Sequence, residues 1–141
     1  GSSKMSKSNV SDYSRINLQD DADTIIKKIK KCKTSDSEMP NNLDDLKKLP
    51  EVNNLFNIFF GITGKDKESL IQSYQNQNFS ALKDDLSDAI IQKICPIGNE
   101  IKKLMNDKNF LDEVLKEGRQ KAFIRGQKTL CDVYEAVGFV I

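Results

Sequence analysis

The sequence predicts an all-α fold, a helical bundle preceded by a polar loop, and three observations carry that expectation. Apolar residues recur at helical spacing through most of the 141 residues, no stretch alternates with a period of two for long, and the breaks between periodic runs carry Pro, Gly, Asn, Asp or Ser. A chain of this length buries roughly 70% of its unfolded surface, enough for one compact domain and too little for a second. With 38% hydrophobic and 30% charged residues, the composition suits a folded chain with amphipathic helices.

Residues 1–19 are rich in Ser, Asn, Asp and Lys without apolar periodicity, which predicts an exposed, mobile loop. At Gln19-Asp20-Asp21 acidic residues mark a helix start, and Ala22, Ile25, Ile26, Ile29 and Cys32 then share a face, predicting a helix over about 20–32. Lys27, Lys30 and Lys31 lie on its other side, with Lys28 flanking them. Residues 34–42 form a polar connector containing Pro40. Leu43 to Leu49 predicts a short helical turn. Pro50 suits a first helical position, Val52, Leu55, Phe56, Phe59 and Phe60 make an apolar stripe, and Gly61 and Gly64 bracket its end. Asp66 should cap a short helix with Leu70, Ile71 and Tyr74, and Ser80 a long one with Leu82, Leu86, Ala89, Ile90 and Ile94 buried and Lys83, Asp84, Asp85 and Asp88 outward. Pro96 should kink or break that helix. The pattern resumes at Ile97, Ile101, Leu104 and Met105, pauses at Asn106-Asp107, and continues through Phe110, Leu111, Val114 and Leu115 into a final helix ending near 137. Phe56, Phe59, Phe60, Phe110 and Phe123 are expected in the core, leaving Tyr13 and Tyr74 as exposed aromatics.

Composition excludes several chemistries. Histidine is absent, which removes Ser-His-Asp and Cys-His catalysis and histidine metal sites. Cys32, Cys95 and Cys131 are odd in number and far apart, so they read as reduced thiols in small core positions of an intracellular protein. The 22 basic and 21 acidic residues nearly cancel, so any nucleic-acid contact must come from local clusters. No apolar run approaches the roughly 20 residues that span a bilayer, and no metal is assigned: Asp84, Asp85 and Asp88 read as solvated helix carboxylates. The chain opens without an initiator methionine and is expected to be a fragment, cytoplasmic or organellar in origin.

Lys4-Met5-Ser6-Lys7-Ser8 carries the chemistry. Two ammonium groups and two hydroxyls on a flexible loop can close over a triphosphate, and a mobile cation that arrives as charge develops on leaving pyrophosphate lowers that barrier. Alone, five such residues read equally well as a solvated tail.

The stretch from Lys4 through Thr34, KMSKSNVSDYSRINLQDDADTIIKKIKKCKT, closely resembles bacterial and organellar tryptophanyl-tRNA synthetases. The resemblance continues through Leu49-Pro50-Glu51-Val52-Asn53-Asn54-Leu55, Phe79-Ser80-Ala81-Leu82-Lys83, Pro96-Ile97, Val114 to Gly118, and Tyr134 to Phe139. It departs from the family around Ser35 to Asn42 and at Arg119, Arg125 and Gly126. The resemblance implies that Lys4, Met5, Ser6, Lys7 and Ser8 belong to an ATP site, with Lys7 and Lys4 catalytic, Lys7 stabilising the leaving pyrophosphate and Met5 anchoring the loop. It implies ATP with Mg²⁺ as substrate, tRNA(Trp) as partner, a homodimeric parent, and a helical anticodon-binding domain over residues 20–141 behind a loop and linker at 1–19. No nucleotide-binding βαβ pattern or H-I-G-H-like motif is present, so the fragment alone is expected to be inactive without its N-terminal catalytic domain.

Two basic clusters suit tRNA phosphates: Lys27, Lys30 and Lys31 on the first helix, and Lys121, Arg125 and Lys128 on the last. Each also reads as a solvated face. The rival functions are a stand-alone helical RNA-binding module, with steep salt dependence and no ATP contribution, and a plain protein-interaction bundle with neither.

Overall fold

The computed structural model describes residues 11–34 and 38–139. Its described residues are helical, as the periodicity predicts: a 3-10 turn at Asp12–Ser14, then α1 (Ala22–Lys30), α2 (Leu43–Lys47), α3 (Pro50–Thr63), α4 (Lys67–Tyr74), α5 (Phe79–Asn106) and α6 (Lys108–Val137). The chain divides into two compact units, Gly1–Asn99 and Glu100–Ile141, with the boundary inside α5.

Side chains and backbone chemistry set the helix ends. The Asp21 carboxylate accepts from the Thr24 N–H at 2.8 Å, and Asn42 accepts from Asp45 N–H at 2.8 Å. Asp66 accepts from the N–H groups of Glu68 and Ser69, satisfying donors that the first turn leaves unpaired. Pro50 occupies the start of α3, where its missing N–H costs nothing. Gly64, not Gly61, stops that helix, at φ 69° in the left-handed region.

Two boundaries differ from expectation. Asn78 rather than Ser80 caps α5, its side-chain oxygen accepting from Ala81 N–H at 2.9 Å. Pro96 neither breaks nor ends α5, which runs on to Asn106. Proline there removes the hydrogen bond to the Gln92 carbonyl, but Pro96 and Gln92 are both exposed, so solvent can satisfy that acceptor.

The core lies in the first unit. Ile25 and Ile29 of α1, Leu46 of α2, Val52, Leu55, Phe56 and Phe59 of α3, Leu70, Ile71 and Tyr74 of α4, and Leu82, Leu86 and Ile90 of α5 form one buried cluster with Met39. Cys32 and Cys95 pack at its edge. Phe60 follows Phe59 by one residue and so points about 100° away, to the surface beside the Lys67 ammonium.

The second unit has a different character. None of the α6 side chains is buried. Phe110 and Phe123, expected in the core, are 45% and 65% exposed, because this unit contains only the end of α5 and α6. α6 starts on Asp107, whose carboxylate accepts from Phe110 N–H at 3.0 Å. It closes on Gly138 at φ 75°, where Phe139 N–H returns to the Tyr134 carbonyl and the Phe139 ring meets the Tyr134 ring edge-on at 5.8 Å. No helix among the described residues is long and apolar enough to cross a membrane.

Candidate functional site

The residues proposed from sequence to face ATP, Lys4, Met5, Ser6, Lys7 and Ser8, lie outside the described residues. The chain that follows them does not: residues 11–14, 18 and 19 are exposed, as expected of a loop, while Ile16 and the Leu18 backbone tie the stretch to the helices. Ile16 packs against the core cluster, and the Leu18 carbonyl lies against Gly98 of α5. A Cβ at position 98 would stand 2.5 Å from that oxygen, so only glycine permits the approach.

Lys28 does most of the docking. Periodicity puts it on the same face as Ile25, Ile29 and Cys32, and it is only 4% exposed. Its ammonium lies 2.6 Å from an Asp12 carboxylate oxygen and 2.6 Å from one of Asp20. Asn17 joins the two acids: its backbone N–H donates to Asp20 at 2.9 Å and its side-chain amide to Asp12 at 3.1 Å. Arg15 pairs with Asp12 at 3.0 Å. Burial opposes the Lys28 charge, yet the hydrogen bonds to Asp12 and Asp20, with their charges, outweigh it and hold its pKa above the ordinary lysine value. The same contact with Lys28, helped by Asn17, holds the Asp12 carboxyl below its usual range. Sequence reasoning missed this cluster by treating Lys28 as one more surface lysine. The available signal was its i+3 spacing from Ile25 and i+4 spacing to Cys32.

Beside the anchor, Ile16, Ile29, Ile58, Ile62, Ile90 and Ile94 line much of an apolar cavity of about 390 Å³. Lys83, expected outward, turns onto α1 instead. Its ammonium donates to the Cys32 carbonyl at 2.6 Å and the Lys30 carbonyl at 3.3 Å, neutralising the negative end of that helix. Tyr74, expected as an exposed aromatic, is buried, and its hydroxyl donates to Asp85 at 2.5 Å. Burial and that carboxylate push its phenol well above the tyrosine range.

Of the predicted basic clusters, Lys27, Lys30 and Lys31 are all exposed at the C-terminal end of α1. They do not act alike: the Lys31 ammonium sits 3.9 Å over the Tyr13 ring, whereas Lys30 leans toward Asp84 at 3.9 Å. Lys27 and Tyr13 line a smaller cleft of about 210 Å³ with Asp12, Thr24 and Lys28. Tyr13, half-exposed, is therefore an aromatic surface framed by cations and adjoining the anchor. On α6, Lys121, Arg125 and Lys128 are exposed one turn apart, and Lys121 pairs with Glu117 at 2.5 Å.

Comparison with known proteins is specific. The family described as tRNA synthetases class I (W and Y) matches residues 1–94. The chain is 41% identical over 140 residues to a tryptophan–tRNA ligase of Rhizobium meliloti (strain 1021), covering 99% of this chain and 40% of that protein. It is 45% identical over 141 residues to a tryptophan–tRNA ligase of Rickettsia felis, covering all of this chain and 42% of that one. A similar protein of Agrobacterium fabrum, also named tryptophan–tRNA ligase, is 38% identical over 140 residues. The chain thus spans about two-fifths of the length of the curated relatives it matches.

Proposed function

The chain belongs to the class I tRNA synthetases (W and Y), and from that premise we propose that it is the part of a tryptophan–tRNA ligase running from the ATP-facing loop through the helical domain that recognises tRNA. One observation carries this best: Lys4-Met5-Ser6-Lys7-Ser8 heads a sequence that aligns over its whole length with proteins named tryptophan–tRNA ligase. Residues 1–19 serve as loop and linker, and residues 20–141 as the helical domain. The complete enzyme activates tryptophan with ATP·Mg²⁺ and transfers it to tRNA(Trp), as a cytoplasmic or organellar homodimer. This stretch alone is inactive, because it has no histidine for an H-I-G-H-like motif and its described residues hold only helices, without a nucleotide-binding fold.

The mechanism assigned to this stretch is electrostatic. As the tryptophan carboxylate attacks the α-phosphorus, negative charge accumulates on the departing pyrophosphate. Lys7, with Lys4 beside it, meets that charge as the loop closes, and Ser6 and Ser8 donate hydrogen bonds to phosphate oxygens. An interaction made in the transition state and not before it raises kcat rather than merely tightening binding. Lys27, Lys30 and Lys31, with Lys121, Arg125 and Lys128, hold tRNA phosphates. The test is tryptophan-dependent exchange of pyrophosphate into ATP by the full-length enzyme. Lys7→Ala should cost on the order of 10²–10³ in rate, comparable to losing one preorganised oxyanion donor. Exchange indifferent to Lys7, or absent from the wild type, would leave a non-catalytic RNA-binding module as the better account.

A further inference from the structure

Bases that RNA leaves unpaired are held by stacking on exposed aromatic rings, with cations alongside for the phosphates. Of the three tyrosines, the structure leaves one ring suited to that task. Tyr74 is buried with its hydroxyl on Asp85, and Tyr134 packs edge-on against Phe139. Tyr13 keeps half of its surface in solvent, and the Lys31 ammonium lies 3.9 Å from its ring centroid. The exposed phenylalanines are framed differently. Phe60 has a single cation, Lys67, at 5.9 Å, and among the described residues none lies over Phe110, Phe123 or Phe139. The Tyr13 ring is also held in place before any ligand arrives. It sits in the Asp12–Ser14 turn, where the Ser14 hydroxyl donates to the Ser11 carbonyl at 3.1 Å and the Asp12 carboxylate is tied to Lys28 at 2.6 Å. Binding there would not have to order the ring first.

The charge around the ring is positive in excess. Asp12 and Asp20 are already matched by Lys28 and Arg15. Lys27 and Lys31, exposed and one turn apart on α1, pair with no carboxylate among the described residues. The cleft of about 210 Å³ between Asp12, Tyr13, Thr24, Lys27 and Lys28 opens at the same place. Sites for whole small ligands run to roughly 300–1,000 Å³, so this one suits a single ring of a polymer that lies mostly outside it. We propose that Tyr13, with Lys27 and Lys31, is a stacking site for an unpaired nucleotide of RNA: the base lies on the exposed part of the Tyr13 ring and the adjoining phosphates meet the two ammonium groups. The Thr24 hydroxyl and the Asp12 carboxylate are the polar groups within the cleft for a base edge or a ribose hydroxyl. This site deepens the tRNA-binding role proposed above and rests on it. A duplex cannot use it, because the faces of paired bases are covered by their neighbours.

The experiment is equilibrium binding of a labelled tRNA(Trp) transcript to the full-length enzyme, with thermal unfolding followed by circular dichroism. Tyr13→Leu keeps apolar bulk and removes the π-face. It should weaken binding about tenfold and leave the salt slope of log K unchanged, because no charge is lost. Tyr13→Phe should stay within about twofold of wild type. An unpaired RNA oligonucleotide should show the same loss of about tenfold on Tyr13→Leu, and a duplex of equal length should show none. Tyr13→Trp places a tryptophan in a stretch that has none, and its emission, taken as the difference from wild type, should be quenched by the unpaired oligonucleotide and not by the duplex. That readout decides if Tyr13→Leu does not fold. Binding of tRNA by folded Tyr13→Leu within about twofold of wild type, or unquenched emission from Tyr13→Trp, overturns the stacking site while the tRNA-binding role stands. An equal loss for the duplex or for polyglutamate also overturns it, because the ring then only supports a general polyanion surface. Should the folded wild type bind no tRNA, the tRNA-binding role fails and the stacking site falls with it.

Discussion

Replacing Gly98 with alanine tests whether the segment after the loop is docked on the helices. In an open helical site the change is favourable, because alanine loses less backbone entropy than glycine and gains about 1 kcal/mol. At position 98 the new Cβ would lie 2.5 Å from the Leu18 carbonyl oxygen and 3.6 Å from the Gln19 Cα. Both are backbone atoms that cannot rotate aside, so the segment must retreat by roughly an ångström to restore an ordinary contact. Overpacking of this kind costs about 1–3 kcal/mol, leaving a net loss of up to about 2 kcal/mol after the helix gain. Gly61 in α3 is the internal control. A Cβ there meets nothing within 4 Å, so Gly61→Ala should gain about 0.5–1 kcal/mol. Equilibrium urea unfolding reads both; with m near 2 kcal/mol/M, the two midpoints should separate by about 1 M, in opposite directions from wild type. Equal stabilisation by the two substitutions would refute the docking of residues 12–20 against α5.

Phe56→Ala, which empties the centre of the buried cluster, should cost about 3–5 kcal/mol, whereas Phe60→Ala, at the surface, should cost a small fraction of that in the same urea titration. The pKa of Tyr74 is raised, so its contribution is complete below about pH 10 and is lost as pH climbs, when the unfolded phenol ionises and the folded one does not; Tyr74→Phe should flatten the alkaline fall in urea midpoint. Asp12 has the opposite sign: its lowered pKa adds stability above its ordinary value of 3.8 that disappears as pH falls further, and Asp12→Asn should remove that acid dependence. For tRNA binding, each lysine among Lys27, Lys30 and Lys31 that holds a phosphate should, when changed to alanine, reduce the salt slope of log K by about 1; an unchanged slope assigns that lysine to solvent.

The helices were legible because local chemistry decided them. Asp21, Asp66, Pro50 and Gly64 each act within one turn of chain, and the apolar faces of α1, α3 and α5 follow from spacing alone. A break at Pro96, one of the two outcomes expected there, does not occur, and its cost depends on solvent access to the Gln92 carbonyl, a tertiary property. Phe110 and Phe123 were misjudged for the same reason: spacing shows which residues share a face, not whether anything covers it. Lys28 and Lys83 show the limit for charged residues. Lysine is so often solvated that only the folded geometry reveals one ammonium clasping Asp12 and Asp20 and the other capping α1. Lys4 to Ser8, taken alone, read equally well as a triphosphate-facing loop and as a solvated tail; only the resemblance that runs on through Thr34 favoured the first reading.

The most direct test of the central proposal is charging of tRNA(Trp) by the full-length enzyme, with tryptophan and tyrosine supplied separately under ATP and Mg²⁺. Charging with tryptophan and not with tyrosine is the predicted result. Failure to charge with either amino acid, by a protein that folds and binds tRNA, would contradict the assignment and leave a binding module in its place.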